Sequence, residues 1–434
     1  MLDEILHRRL PAALCGALLC TAALLGGVGA TAADAAGTAS RDRGAPSRYP
    51  AGATRALLRP HASEYARAVA RPKHRRRARK PALRGNPLRA LLAYQAMQRV
   101  YYIPGSGLYE GEPFSYLWPF SQALAATVSM ANVPRVGVSF AHELHAELIG
   151  LGDYLDTNNS GAAEGVFTST LAAFDGTVAP PTGPGGAKYY DDNDWVGIEL
   201  VRLYKLTHTA SVLGSAEAIM AFEMAGWDTN PQLGCPGGIP FSNTVENTDR
   251  NTVTTAPAAE LALQLYRLTG NAQYLQFAEM AYAWVRQCLL APSQLYADHI
   301  SPAGVVEPTL WSYNQGTMIG AGTLLYQATG NAAYLYQARQ TARAALAYFT
   351  PERLGGENPF FPSIYFRNLL YLDSVTHDPP GPAIAQGYVD YAWQHLRLSS
   401  YLFVSGSPAS AQLLDQAAIV QIYALLSTSP STYF

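Results

Sequence analysis

Cysteine is scarce: the chain has four in 434 residues, and Cys15 and Cys20 fall inside its first apolar run. Beyond residue 36 no apolar stretch is long and charge-free enough to span a bilayer, which excludes an integral membrane domain in the body of the chain. Gly-rich phosphate loops are absent, and no Ser-His-Asp set can be placed. His142-Glu143-Leu144-His145 lacks the four-residue histidine spacing of a zinc helix and reads as an exposed face. The segment from Asp156 to Gly161 opens like a calcium loop, but its twelfth position is Phe167 rather than glutamate, so a turn is expected. These absences leave no metal, no cofactor and no nucleic-acid partner to expect.

What is present divides into three parts. Residues 1–36 carry Arg8 and Arg9, an apolar run from Ala12 to Ala30, and Ala-x-Ala patterns at 30–32 and 33–35; they read as an export signal cut near Ala32 to Ala36. Residues 37–85 form an Ala/Pro/Arg-rich arm, densest at Arg71–Lys80, with no sustained amphipathic period, and a disordered linker is expected. The overall charge of −2 hides the division, since residues 41–90 carry a net +13 and residues 91–434 a net −14. The arm is a solvated spacer with at most weak contact to anionic envelope polymers. An exported product, secreted or wall-associated, folds in an oxidising compartment, so Cys235 and Cys288 are expected to pair as a disulfide.

From Asn86 to the end the pattern is helical and repetitive. Leu203-Tyr204-Lys205-Leu206-Thr207 recurs as Leu265-Tyr266-Arg267-Leu268-Thr269 and as Leu325-Tyr326-Gln327-Ala328-Thr329, at offsets of 62 and 60. The following helix keeps the offsets, with Leu213, Leu275 and Leu335 aligned and Ala216, Ala278 and Ala338 aligned. Gly270 and Gly330 stand at the turn, where a left-handed residue ends a helix. Helices are predicted at 85–101, 118–130, 136–155, 191–207, 212–226, 252–269, 272–290, 313–329, 332–348, 362–376, 383–399 and 409–427. Six helical hairpins are the number that closes a double ring, so an all-α (α/α)6 barrel over 86–434 is expected. The helix entered at Asp192 is apolar almost all round, as an inner-ring helix must be. Carried through the offsets, Asp191 and Asp192 land on Val253 and Thr254, then on Tyr313 and Asn314, so these pairs should ring one mouth.

The sharpest chemical signal is Tyr189–Leu200, with Asp191, Asp192 and Asp194 at the start of a buried helix. A helix cap accounts for one carboxylate. Three in four positions repel one another and raise at least one proton affinity when enclosed. A charged and a protonated carboxyl side by side are what glycoside cleavage uses, at about 5–5.5 Å in retaining enzymes. Tyr189, Tyr190, Trp118, Trp311 and Tyr313 are candidates for stacking on sugar rings, and Arg250, Asn251, Asn314 and Gln315 for binding hydroxyls, though each type serves core or loop packing equally well.

Tyr190, Asp191, Asp192 and Trp195 resemble the Tyr-Asp-Asp…Trp segment of glycoside hydrolase family 76, the endo-α-1,6-mannanases. Two further stretches are similar to that family: Trp311–Gly316 followed by Ile319-Gly320, and Gly237-Gly238-Ile239 followed by Arg250-Asn251. Val196, Phe241 and Arg250 depart from it. The resemblance implies an (α/α)6 barrel and a monomeric retaining hydrolase acting on α-mannan or mannose oligosaccharides. It further implies Asp191 as nucleophile and Asp192 as acid/base; beside them Tyr190, Trp195, Trp118, Arg250, Asn251, Tyr313, Asn314 and Gln315 are the expected sugar contacts. Two other readings stay open, a carbohydrate enzyme of the same fold acting on a different glycan and a catalytically silent glycan-binding protein.

Overall fold

The computed structural model describes residues 83–134, 136, 139–157, 171–377, 380–406 and 410–434. The leader at 1–36, the basic arm up to residue 82 and most of the segment 156–167 lie outside the described residues.

Helices α1 (Gly85–Tyr101), α2 (Leu117–Asn132) and α3 (Ala141–Leu151) are followed by α4 (Tyr190–Thr207), α5 (Ala210–Ala225), α6 (Thr252–Thr269) and α7 (Ala272–Cys288). Then come α8 (Ser312–Thr329), α9 (Ala332–Tyr348), the short α10 (Pro351–Gly356), α11 (Phe360–Thr376), α12 (Gly381–Tyr391) and α13 (Leu413–Leu425). Helices α2, α4, α6, α8, α11 and α13 each pack on the next, and α13 returns to α2, so they close an inner ring. Outside it α3 packs on α2, α5 on α4, α7 on α6, α9 on α8, α12 on α11 and α1 on α13. The architecture is the (α/α)6 barrel expected from the repeat.

The inner helices show why. Tyr190 to Leu203, Thr252 to Leu265 and Ser312 to Leu325 are buried without interruption, so these helices have no solvent face and must be walled on every side. Only the last turn emerges, and there the repeated motif acts. The N–H groups of His208, Gly270 and Gly330, all left-handed with φ of 53°, 70° and 72°, close onto the carbonyls of Tyr204, Tyr266 and Tyr326. Thr207, Thr269 and Thr329 donate back to Leu203, Leu265 and Leu325. Asn271 and Asn331 then cap the outer helices by accepting from Gln273 and Ala333, caps worth about 1 kcal/mol each.

Some expectations need correction. Among the described residues of 136–155 the α-helix covers Ala141–Leu151, because the chain turns at Gly152–Tyr154 and pairs β1 (Leu155–Asp156) antiparallel to β2 (Ala173–Phe174), a partner no local periodicity reveals. The stretch 383–399 leaves helical form after Leu396, and 409–427 is helical over Leu413–Leu425. The unpredicted α10 begins at Thr350, whose hydroxyl accepts from Arg353 N–H, with Pro351 at its first position.

The long loops form a small antiparallel sheet, in which β4 (His299–Ile300) pairs with β3 (Arg250–Asn251) on one side and β5 (Val306–Glu307) on the other. The disulfide between Cys235 and Cys288, Cα atoms 6.1 Å apart, ties the loop after α5 to the end of α7. Both devices lock the loops that precede α6 and α8 over the same end of the barrel.

Candidate active site

Asp191 and Asp192 occupy the first turn of α4, 5% and 7% exposed, so the pair faces a narrow opening from inside the wall. No lysine, arginine or histidine of the described residues stands within salt-bridge distance of either. Burial therefore acts unopposed by a cation, and the two carboxyls respond differently. Asp191 is pushed up to about 7 by burial, while the backbone N–H groups of residues 192 and 191 hold it down and Asp298 adds repulsion. Asp192 rises well above the usual carboxylate range, through burial first and the charge of Asp191 second. The free amides of the helix start thus favour charge on Asp191, and Asp192 is the member of the pair that keeps its proton.

Two structural features account for that setting. Asn193 locks the entrance of α4 by donating to the carbonyls of Phe174 and Tyr189 and accepting from Phe174 N–H. Tyr190 stacks on Phe222 of α5 at 4.5 Å, and its ring fills the space beside Gly226. A Cβ there would stand 2.3 Å from the ring, so Gly226 is needed for the close approach.

The structure adds a carboxylate that the sequence reading missed. Asp298 precedes β4; its carbonyl accepts from Thr252 N–H at the start of α6, and Thr252 Oγ1 donates to Ala297. Asn314 Nδ2 donates to Asp298 Oδ1 at 3.3 Å, and His299 Nδ1 lies 3.1 Å from Oδ2. Burial, Asp298, Asp191 and Glu357 together lift the phenol of Tyr313, which places that hydroxyl among the three acids. Glu357 accepts from Ser312 N–H at the start of α8 and is itself pushed up to about 7 by burial.

Tyr313 also joins the acids to an aromatic wall. Phe361 stacks on Tyr313 at 4.2 Å, meets Trp311 at 5.2 Å and Trp118 at 6.2 Å, while Phe360 meets Trp118 edge-on at 4.9 Å. These rings come from the starts of α2, α8 and α11, of which α8 alone belongs to the three helix starts, α4, α6 and α8, that the repeat aligns. Phe360 and Phe361 were not singled out from sequence; their signal was an aromatic pair opening an inner helix.

The remaining predicted residues divide by placement. Trp118, Asn251, Tyr313 and Asn314 stand in or beside helix starts at the mouth. Trp195, 2% exposed, lies one turn deeper in the core, and Tyr190 is packed under its neighbour helix. Arg250 is fully buried, its guanidinium donating to the carbonyls of Gly234 and Ser301. Gln315 brackets the backbone of Tyr296 through both side-chain atoms and donates to Trp311. In the structure these four have almost no surface to offer a sugar, and Asn314, equally buried, reaches the mouth through its bond to Asp298.

A closed ring of six inner and six outer helices, with adjacent buried carboxyls of unequal proton affinity at its mouth, defines the class. Within that class the profile of glycosyl hydrolase family 76 matches residues 98–364, more than half of the chain, and the chain belongs to this family. It is similar to the mannan endo-1,6-alpha-mannosidase DCW1 of Saccharomyces cerevisiae, 26% identical over 143 residues that cover 31% of each chain. The DCW1 protein of Candida glabrata is 31% identical over 114 residues, 24% of this chain and 25% of that one. The chain spans about a third or less of the length of these curated relatives. Among solved structures, a family 76 glycoside hydrolase from a bovine Bacteroides thetaiotaomicron strain superposes with TM-score 0.68 at 23% identity, covering 79% of this chain and 78% of that one. An inactive variant of an α-1,6-mannanase from a Salegentibacter species, with two consecutive aspartates replaced by asparagine and α-1,6-mannotriose bound, gives TM-score 0.63 at 21% identity over 79% and 99% of the two chains. At these identities the structural likeness speaks for the fold.

Proposed function

We propose that the protein is an exported, retaining endo-hydrolase of α-1,6-linked mannose chains that works as a monomer without a cofactor. The observation that carries the reading is the adjacent pair at the start of α4, one carboxyl favoured as the anion by helix amides and the other holding its proton. In this reading the carboxylate of Asp191 attacks the anomeric carbon as the glycosidic C–O bond breaks, and Asp192 delivers its proton to the departing oxygen. Asp192, now an anion, takes a proton from water; the water oxygen attacks the anomeric carbon and Asp191 leaves, so the configuration is retained. Asp298, Asn314 and Tyr313 present hydrogen-bonding groups beside the nucleophile, and the Trp118–Phe361–Trp311 wall offers faces for a pyranose ring. The family membership and the mannan-cleaving relatives support the substrate class. Residues 1–36 supply the export signal and 37–85 a basic spacer beside the envelope.

The test is incubation of the purified protein with linear α-1,6-mannan, following released reducing ends and the first anomer formed. Internal cleavage with retained α-anomer is expected. Release of inverted anomer overturns the nucleophilic role of Asp191, and absence of cleavage overturns the substrate.

A further inference from the structure

Beneath the mouth the barrel axis is lined by polar side chains that no step above uses. Glu260 on α6, Gly320 on α8 and Asn368 on α11 are each the ninth residue of their helix, so they meet at one level, two turns below the helix starts. A Cβ on Gly320 would stand 1.9 Å from Asn368 Oδ1 and 2.2 Å from Glu260 Oε1, so the two oxygens converge on the space over the glycine. Glu260 and Asn368 are fully buried, and Asn368 Oδ1 and both oxygens of Glu260 lack any donor.

The amide of Asn368 has only one consistent orientation. Its Nδ2 donates to Ile364 O at 3.1 Å, and a carbonyl accepts only, so the NH2 group belongs on that side and Oδ1 faces Glu260 as an acceptor. An ionised Glu260 would then set two acceptors against each other in a dry interior. A neutral acid resolves the contact, because its O–H has Asn368 Oδ1 to donate to.

The neighbours supply one cation, Arg367, whose charge opposes burial at Glu260 but which is paired with another acid. Asp194 of α4 faces Glu260 and is itself fully buried; Glu223 of α5 lies beyond it, toward Asp194 and Asp191. From α11 come Arg367 and the phenol of Tyr371. Arg367 Nη1 is committed to Glu199 at 2.8 Å, where Arg202 also binds at 2.6 Å, and no ion pair to Glu260 forms. The buried titratable groups of α7 are the phenols of Tyr274 and Tyr282; Arg250 of β3 is held by loop carbonyls, and α8 contributes Tyr313 at the mouth and Gly320 at this level.

We propose that Glu260 is a positioning residue: a carboxylic acid that keeps its proton through the reaction, donates it to Asn368 Oδ1 across Gly320, and so leaves the axis under Asp191 free of negative charge. The inference rests on the reading of Asp191 as the nucleophile, which must ionise within a barrel that also encloses Asp194, Glu223 and Glu260. Were the lower acids charged, their field would hold the proton on Asp191 and stop the reaction. Gly320 is part of the device, since any side chain there would push the two oxygens apart. This gives a physical role to the Ile319-Gly320 stretch of the sequence.

Two measurements on the full chain test it. In infrared difference spectra at neutral pH, Glu260→Gln should remove one protonated-carboxyl carbonyl band relative to wild type; loss of a carboxylate band instead overturns the proposal. This readout does not depend on turnover, so it stands even if α-1,6-mannan is not the substrate. In pH profiles of kcat/KM, Glu260→Gln should leave the acid limb in place, because one neutral donor replaces another. Asn368→Asp, which sets a second carboxyl to share the single proton, should raise that limb by about half a pH unit to one unit. An acid limb that falls by about a unit in Glu260→Gln would mean that Glu260 was charged, and overturns the proposal.

Discussion

Helix α4 carries buried charge at two levels, and the two are handled in opposite ways. Two turns below the mouth, Glu199 binds Arg202 at 2.6 Å and Arg367 at 2.8 Å, and Arg202 reaches on to Ser129 and the carbonyl of Thr432. At the mouth, eight residues earlier, Asp191 and Asp192 are nearly as buried and have no cation at all among the described residues. The paired set holds helices α2, α4 and α11 and the chain end together. The unpaired set holds nothing together, and its cost in desolvation is what gives it reactive proton affinities.

The comparison breaks most sharply if the two levels exchange roles under mutation. Asp191→Asn and Asp192→Asn should each lower mannan turnover by at least about 10³-fold with the fold intact, measured as released reducing ends beside a thermal melt. Full turnover in either variant would assign the pair to capping. At the other level Glu199→Ala leaves two arginines buried without their acid and should cost about 3–5 kcal/mol in urea unfolding, with turnover per folded molecule nearly unchanged. Removing the loop tie with Cys235→Ser and Cys288→Ser together should cost about 2–4 kcal/mol and loosen the wall of the mouth, read from denaturation with and without reductant in the wild type.

The contrast is sharpened further through pH. Burial lifts native Asp191 to about 7, above the ~3.9 of an unfolded chain, so its protonated form favours folding. That contribution is complete below the unfolded value and is lost as pH rises through the native one. Asp191→Asn should therefore be more stable than wild type by about 4 kcal/mol at pH 8 and nearly equal to it near pH 4. A difference that is constant across this range would mean the native carboxyl is not raised.

Legibility from sequence followed the range of the interactions. The repeated Leu-Tyr-x-x-Thr ends, the left-handed turn at Gly270 and Gly330, and the Asn caps are local, and helix limits there agree within a residue or two. The end of the run 136–155 failed because Leu155 pairs with Phe174, a strand partner outside any local period. Asp298 escaped notice because a single acid in a long loop has no pattern, and only the pairing of β3 with β4 brings it beside Asp191. Trp195, Arg250 and Gln315 drew attention by residue type near the motif, yet a helix start or loop points some side chains into the mouth and others into its supports.

By itself the sequence determined the number of hairpins, their ring-forming length, the helix start that bears Asp191 and Asp192, and the two cysteines able to join the loops. Those features are set by periodicity, turn residues and spacing, which act over a few residues. Tertiary structure alone decided which acids stay unpaired, which aromatics face the opening, and that Glu260 meets Asn368 over Gly320. Proton affinity and exposure depend on the whole surrounding wall, contributed by six helices far apart in the chain.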